Sequence, residues 1–153
     1  MAELRECVVD TSVALKWFLL REEADRDRAL GLRAACLEGR CRVRAPELLA
    51  IELANVLVTG ARFTASQVFE AVVDVQELGI EFDPLRWHTL ELAIDLSFDY
   101  RAAVYDCYFL ALAVERQSML VTADESFLRK AGKHPRIVRL SQVQLPPRAP
   151  SET

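Results

Sequence analysis

The chain has 153 residues, 52% hydrophobic and 27% charged, a length and balance that fit one compact domain and argue against a largely disordered one. A formal net charge of −4 argues against a broadly basic nucleic-acid binder, because overall acidity repels phosphate. Any nucleic-acid partner must then be held by local basic patches or through bound cations. The opening Met1-Ala-Glu-Leu-Arg-Glu lacks the basic-then-apolar order of a secretory leader, and no apolar run reaches membrane-spanning length. The four cysteines (Cys7, Cys36, Cys41, Cys107) form no Cys-x-x-Cys pair, which disfavours zinc and a disulfide framework and leaves them as small buried hydrophobes. A reduced, cytoplasmic protein without a membrane partner is expected.

Cys7-Val8-Val9 is a short apolar run ending at Asp10 and predicts a buried first strand. Asp10-Thr11-Ser12 supplies capping residues for a helix through Val13–Leu20. A second helix is predicted over Ala24–Glu38, stopped by Gly39. Arg40-Cys41-Arg42-Val43-Arg44 alternates with the period of a strand that has one wet face. Pro46 is placed at the opening of a helix that runs to about Thr59 and ends at Gly60. Thr64-Ala-Ser-Gln67 is a capping box for the next helix, which Gly79 ends. Ile80-Glu81-Phe82 predicts a third strand, and Arg86–Leu96 and Val104–Arg116 two more helices. Met119–Thr122 is a fourth strand, Glu125–Ala131 a helix, and Ile137-Val138 a fifth strand. The tail after Gln144, with Pro146, Pro147 and Pro150, is expected to be disordered. Short apolar strands alternating with helices indicate an α/β fold with a parallel sheet covered on both faces. Ligands in such folds sit beyond the carboxyl ends of the strands.

Four acids stand out against this frame. Asp10 follows the first strand and Asp124 the fourth, where each, taken singly, reads better as a helix cap. Glu52 is the only charged residue in Leu48–Val58, and Asp106 the only one in Ala102–Val114. Helices that apolar are expected to be largely buried. An unpaired carboxylate inside one costs several kcal/mol. Four carboxylates at one sheet edge would repel unless a cation sat between them, and Mg²⁺ or Mn²⁺ suits oxygen ligands and water. Such an ion activates water and stabilises charge on a phosphoryl oxygen.

Four segments resemble the PIN-domain nucleases, and within them the VapC-type toxins of toxin–antitoxin pairs. They are Val8-Val-Asp-Thr-Ser-Val-Ala-Leu-Lys-Trp-Phe18, Pro46-Glu-Leu-Leu-Ala-Ile-Glu-Leu-Ala-Asn-Val-Leu57, Tyr105-Asp-Cys-Tyr-Phe-Leu-Ala-Leu-Ala113 and Leu120-Val-Thr-Ala-Asp-Glu-Ser-Phe127. The resemblance implies a three-layer α/β/α domain over residues 1–145, with a short parallel sheet of four or five strands and a tail over 146–153. It implies Mg²⁺- or Mn²⁺-dependent endoribonuclease activity, with Asp10 and Asp106 as the most direct ligands. Glu52 and Asp124 would complete the shell, one of them orienting the attacking water. Thr11, Ser12 and Thr122 flank the acids as the family's hydroxyls do, although Ser12 reads at least as well as a helix cap. The resemblance also implies a homodimer silenced by a small antitoxin that plugs the acidic groove.

Arg40, Arg42 and Arg44 share one strand face and read as phosphate contacts or, preferably, as charges guarding an edge strand. Arg129, Lys130 and Lys133, with His134 and Arg136, form a basic cluster after Asp124 that suits RNA steering, as does Lys16 near Asp10. Asn55, one turn after Glu52, is a candidate partner for that carboxylate. His88 and His134 read as ordinary surface residues. Two other function classes bear on the same features. A non-catalytic module of the same fold would act through protein partners alone. A phospho-accepting receiver domain would want paired acids after the first strand and a lysine after a late one, and Thr11 follows Asp10 instead.

Overall fold

The computed structural model describes residues 2–18, 25–60 and 63–150. In chain order these form β1 (Glu6–Val9), α1 (Thr11–Leu15), α2 (Arg26–Leu37), β2 (Arg42–Pro46), α3 (Leu48–Gly60), α4 (Ala65–Glu77) and β3 (Glu81–Asp83). Then come α5 (Trp87–Tyr100), α6 (Val104–Glu115), β4 (Met119–Thr122), α7 (Glu125–Ala131) and β5 (Ile137–Arg139). A 3-10 turn over Leu140–Gln142 follows.

The strands pair in parallel in the order β3-β2-β1-β4-β5. Cys7, Val8 and Val9 of β1 and Leu120 and Val121 of β4 are fully buried, as a sheet covered on both faces requires. Right-handed crossovers then put α1–α4 on one face and α5–α7 on the other. The packing agrees: α3 touches α1 and α4, while α6 lies against β1, β2 and β4 with α5 packed on it. Cys107–Ala113 are consequently buried on every side of α6. The strand order turns back between β1 and β4, so the connections leaving those two strands diverge and open a crevice at their carboxyl ends.

Local chemistry sets most boundaries. The Thr64 hydroxyl accepts from Gln67 N at 3.2 Å while Gln67 Oε1 accepts from Thr64 N at 2.9 Å, the capping box expected there. Gly39 and Gly79, at φ +69° and +79°, take the left-handed backbone that follows α2 and α4. Several expectations need correcting. Pro46 does not open a helix. It ends β2 opposite Asp83, and α3 begins at Leu48 after Glu47 N donates to Asp83 O at 3.0 Å. The α-helix after Asp10 ends at Leu15 and continues as turns to Phe18; residues 19 and 20 of the expected helix, and Ala24 of the next, lie outside the described residues. In the expected tail, Arg40 Nη1 donates to Pro146 O and Arg148 pairs with Glu38, while 151–153 lie outside the described residues.

The arginines of β2 are neither an edge guard nor free phosphate contacts, because β2 lies between β1 and β3. Arg44 pairs with Glu6 at 3.2 Å, Glu81 at 2.9 Å and Asp83 at 3.4 Å. Asp83 also receives Arg116 at 2.5 Å and Arg86 at 3.4 Å. Its carboxylate is only 4% exposed, so it ties β2, β3 and the ends of α5 and α6 into one ionic knot. Removing it strands three guanidinium groups around a desolvated centre. Asp83→Ala is therefore expected to lower the unfolding free energy in urea by about 3–5 kcal/mol. Arg42→Ala, which breaks the exposed pair with Glu81, should change it little.

Candidate active site

Asp10, Glu52, Asp106 and Asp124 all line one open cavity of about 260 Å³ at the crevice between β1 and β4. Four different elements deliver them. Asp10 ends β1 and caps α1, accepting from Val13 N at 3.3 Å; Asp124 follows β4 and caps α7, accepting from Phe127 N at 3.0 Å. The cap role and the pocket position thus coexist, because a helix starting at a sheet's carboxyl edge turns its first residues toward the crevice. Glu52 comes from the first turns of α3 and Asp106 from the first turn of α6.

Asp10 is the deepest of the four, at 7% exposure, whereas Glu52 and Asp106 are half-buried. Two hydroxyls hold its two oxygens: Ser12 Oγ donates to Oδ1 and Thr122 Oγ1 to Oδ2, each at 2.5 Å. The same hydroxyls accept from the chain beyond β4, Ser12 Oγ from Ala123 N at 2.9 Å and Thr122 Oγ1 from Asp124 N at 3.1 Å. Thr11 Oγ1 donates to Glu52 Oε1 at 3.1 Å. Asn55 also lines the cavity, but the hydrogen bond to Glu52 comes from Thr11 rather than from it. Lys16, Arg129, Lys130 and Lys133 lie outside the lining; Lys130, in the last turn of α7, acts on Asp106 electrostatically. Leu15, Val56 and Phe109 supply apolar lining that the sequence reading did not single out, since at helical spacing they read as core.

The model of the PIN domain matches residues 7–133, which include all four acids and, from Cys7 of β1 onward, the four strands β1–β4 with α7. The chain belongs to the PIN domain family. A search of curated protein sequences finds no match. Among solved structures, this PIN domain is similar to a toxin–antitoxin complex from Klebsiella pneumoniae (TM-score 0.65, 15% identity, 88% of this chain and 97% of that one). It is also similar to FitAB bound to an IR36 DNA fragment (TM-score 0.64, 15% identity, 90% and 97%). A third likeness is to PAE2754 from Pyrobaculum aerophilum (TM-score 0.62, 17% identity, 90% and 90%). At these identities the likeness is one of fold.

The electrostatics of the pocket follow from its geometry. Burial pushes the Asp10 carboxyl up to about 6, against the opposing pull of the Ser12, Thr122 and Val13 hydrogen bonds, and nearby Asp106 adds to the rise. Glu52 and Asp106 are raised too, first by burial and then by a neighbouring acid: Asp106 for Glu52, Asp124 for Asp106. As the side chains stand, no three acid, histidine or cysteine groups among the described residues draw close enough to wrap one ion. The carboxylates line the walls with space between them. This suits a hard cation that keeps several waters and is gripped by one or two carboxylates, and the all-oxygen donor set selects the same class.

The shift at Asp10 has a definite sign. Its folded-state value lies above the ordinary 3.8, so the folded protein holds the proton more tightly than the unfolded chain. Stability from this group is full below about pH 4 and falls as pH rises to about 6, by on the order of 3 kcal/mol. In metal-free buffer, Asp10→Asn should melt above the parent at pH 7.5, and the two should converge near pH 4. A parent that melts higher at both pH values would refute this.

Proposed function

We propose that the protein is a divalent-metal-dependent endoribonuclease and the toxin of a toxin–antitoxin pair. The observation that carries the reading is the convergence of four acids from β1, α3, α6 and the β4–α7 turn on one solvent-open cavity, with the deepest desolvated and hydroxyl-gripped. Mutual repulsion in that arrangement costs stability unless a cation relieves it, which is the arrangement expected of a site kept for binding one. A PIN domain whose acids were only scaffold would have no reason to keep them facing each other across open space.

Asp10 and Asp106 would hold Mg²⁺ or Mn²⁺, with Glu52 and Asp124 completing the set and one of those two orienting the attacking water. A cation bound there activates water and stabilises the charge that develops on a phosphoryl oxygen. The chain's own part is to fix the carboxylates. Ser12 and Thr122 bond to both oxygens of Asp10 and lock its plane, and Thr11 steadies Glu52. Lys130, next to Arg129 in the last turn of α7 and followed by Lys133, offsets the acidity of the mouth and draws in the phosphate backbone.

Toxin–antitoxin assembly is supported by one of the similar folds, the Klebsiella pneumoniae complex, and by exposed apolar surface. Ile51, Val58 and Phe69 project from α3 and α4, and Leu85, Val104 and Tyr105 line a groove of about 320 Å³ beside α3 and α6. Contiguous exposed apolar surface of this kind marks protein–protein contact. We assign it to a second copy of the chain and to a small antitoxin, in a cytoplasmic setting; no helix among the described residues is long and apolar enough to cross a membrane.

Purified protein is expected to cut RNA with Mg²⁺ or Mn²⁺ and to stop when the ion is chelated. Asp10→Asn and Asp106→Asn should each leave less than about one hundredth of the rate, a barrier increase of about 3 kcal/mol, with an unchanged far-ultraviolet spectrum. Full cleavage by both variants would sink the proposal. Inactive parent protein that still binds its antitoxin would favour the non-catalytic module.

A further inference from the structure

We propose that Asn55 reads a base of the RNA substrate, so that the pocket takes one unstacked nucleotide and recognises its edge through this amide. The inference rests on the ribonuclease reading and concerns which RNA that same cavity accepts.

The cavity lining is of two chemical kinds. Asp10, Glu52, Asp106 and Asp124 are suited to a cation and the phosphate it neutralises. Leu15, Val56 and Phe109 supply apolar lining with no role in holding a cation or a phosphate, Val56 and Phe109 one helical turn beyond Glu52 and Asp106 on α3 and α6. A nucleobase has flat apolar faces and a polar edge, and packs on such a lining once it is out of its stack.

The polar edge needs a group that both donates and accepts. The lining offers few. Ionised carboxylates only accept. The hydroxyls of Thr11 and Ser12 are committed to Glu52 and Asp10. Asn55 remains, with an exposed side-chain amide that has no hydrogen-bond partner among the described residues. It sits three residues after Glu52 on α3, on the same helix face, and beside Val56 of the apolar lining. That places an uncommitted donor–acceptor pair next to both kinds of lining, one helical turn from a carboxylate. An amide there matches the donor–acceptor edge of a base, as Asn does for adenine. Paired RNA presents no such free edge to a cavity of about 260 Å³, so the substrate is single-stranded at the cut.

Single-stranded oligoribonucleotides with a randomised centre, cleaved in Mg²⁺ or Mn²⁺ and sequenced at their new ends, test this directly. The parent should show a base preference next to the cut, and Asn55→Ala should flatten that preference by about tenfold, the loss expected of one good base contact. Asn55→Asp, which replaces the donor with a second acceptor, should move the preference toward a base offering donors. A thermal melt checks that the exposed substitutions leave the fold intact. Equal slowing on every sequence with the preference unchanged would mean that Asn55 acts through Glu52, and would overturn this inference alone; so would no change at all. A parent that cuts no RNA with either metal would overturn the ribonuclease reading, and this inference with it.

Discussion

The carboxylate of Asp10 sits where two strands that are distant in sequence meet, and its burial constrains everything around it. One oxygen is held by Ser12 from the start of α1, the other by Thr122 from the end of β4. Both hydroxyls in turn accept from the backbone that leads to Asp124. Truncating or moving Asp10 would therefore loosen the join between the two halves of the sheet as well as the pocket. The β1–β4 pairing, the positions of α1 and α7 and the orientation of a second acid all pass through this cluster of hydroxyl and backbone bonds.

The protein handles buried acid in two opposite ways. Asp83 is as deep as Asp10, and three arginines surround it. A pair removed from water in that way is costly to break and makes no demand on anything outside the chain. Asp10 is desolvated with hydroxyls and one backbone N–H but no guanidinium among its bonds to the described residues, and its charged neighbours include another acid. Hydroxyls orient a carboxylate without cancelling its charge. The contrast separates an acidic centre neutralised within the chain from one whose charge these bonds leave uncancelled. It also reconciles a net charge of −4 with the proposed RNA substrate: attraction would be local, from an ion in the pocket and the basic end of α7.

The elements were legible in the chain because their signals are local. Capping at Asp10, Thr64 and Asp124 depends on residues within three positions, and so do the short apolar runs of β1 and β4. The four acids were legible for a related reason, as charges at strand ends or within apolar helices. Their relative depth was not. Glu52 and Asp106 looked the more stranded, yet Asp10 is the more buried, because depth at a sheet edge is set by which neighbouring strand ends beside it. Asn55 was visible as a neighbour of Glu52, while its lack of a partner depended on Thr11 arriving from another element.

Sequence by itself determined the element order, the parallel α/β class, the caps and the identity of the acids, since periodicity and capping act over a few residues. Tertiary structure alone decided that β2 is an interior strand, that its Arg44 closes on Asp83, and that α3 and α6 differ despite similar composition. Both helices are apolar enough to be buried all round, but α6 lies between the sheet and α5, while Ile51 of α3 is 70% exposed. No short-range pattern separates those cases, because burial is settled by what packs against a face, and that partner comes from elsewhere in the chain or from another molecule.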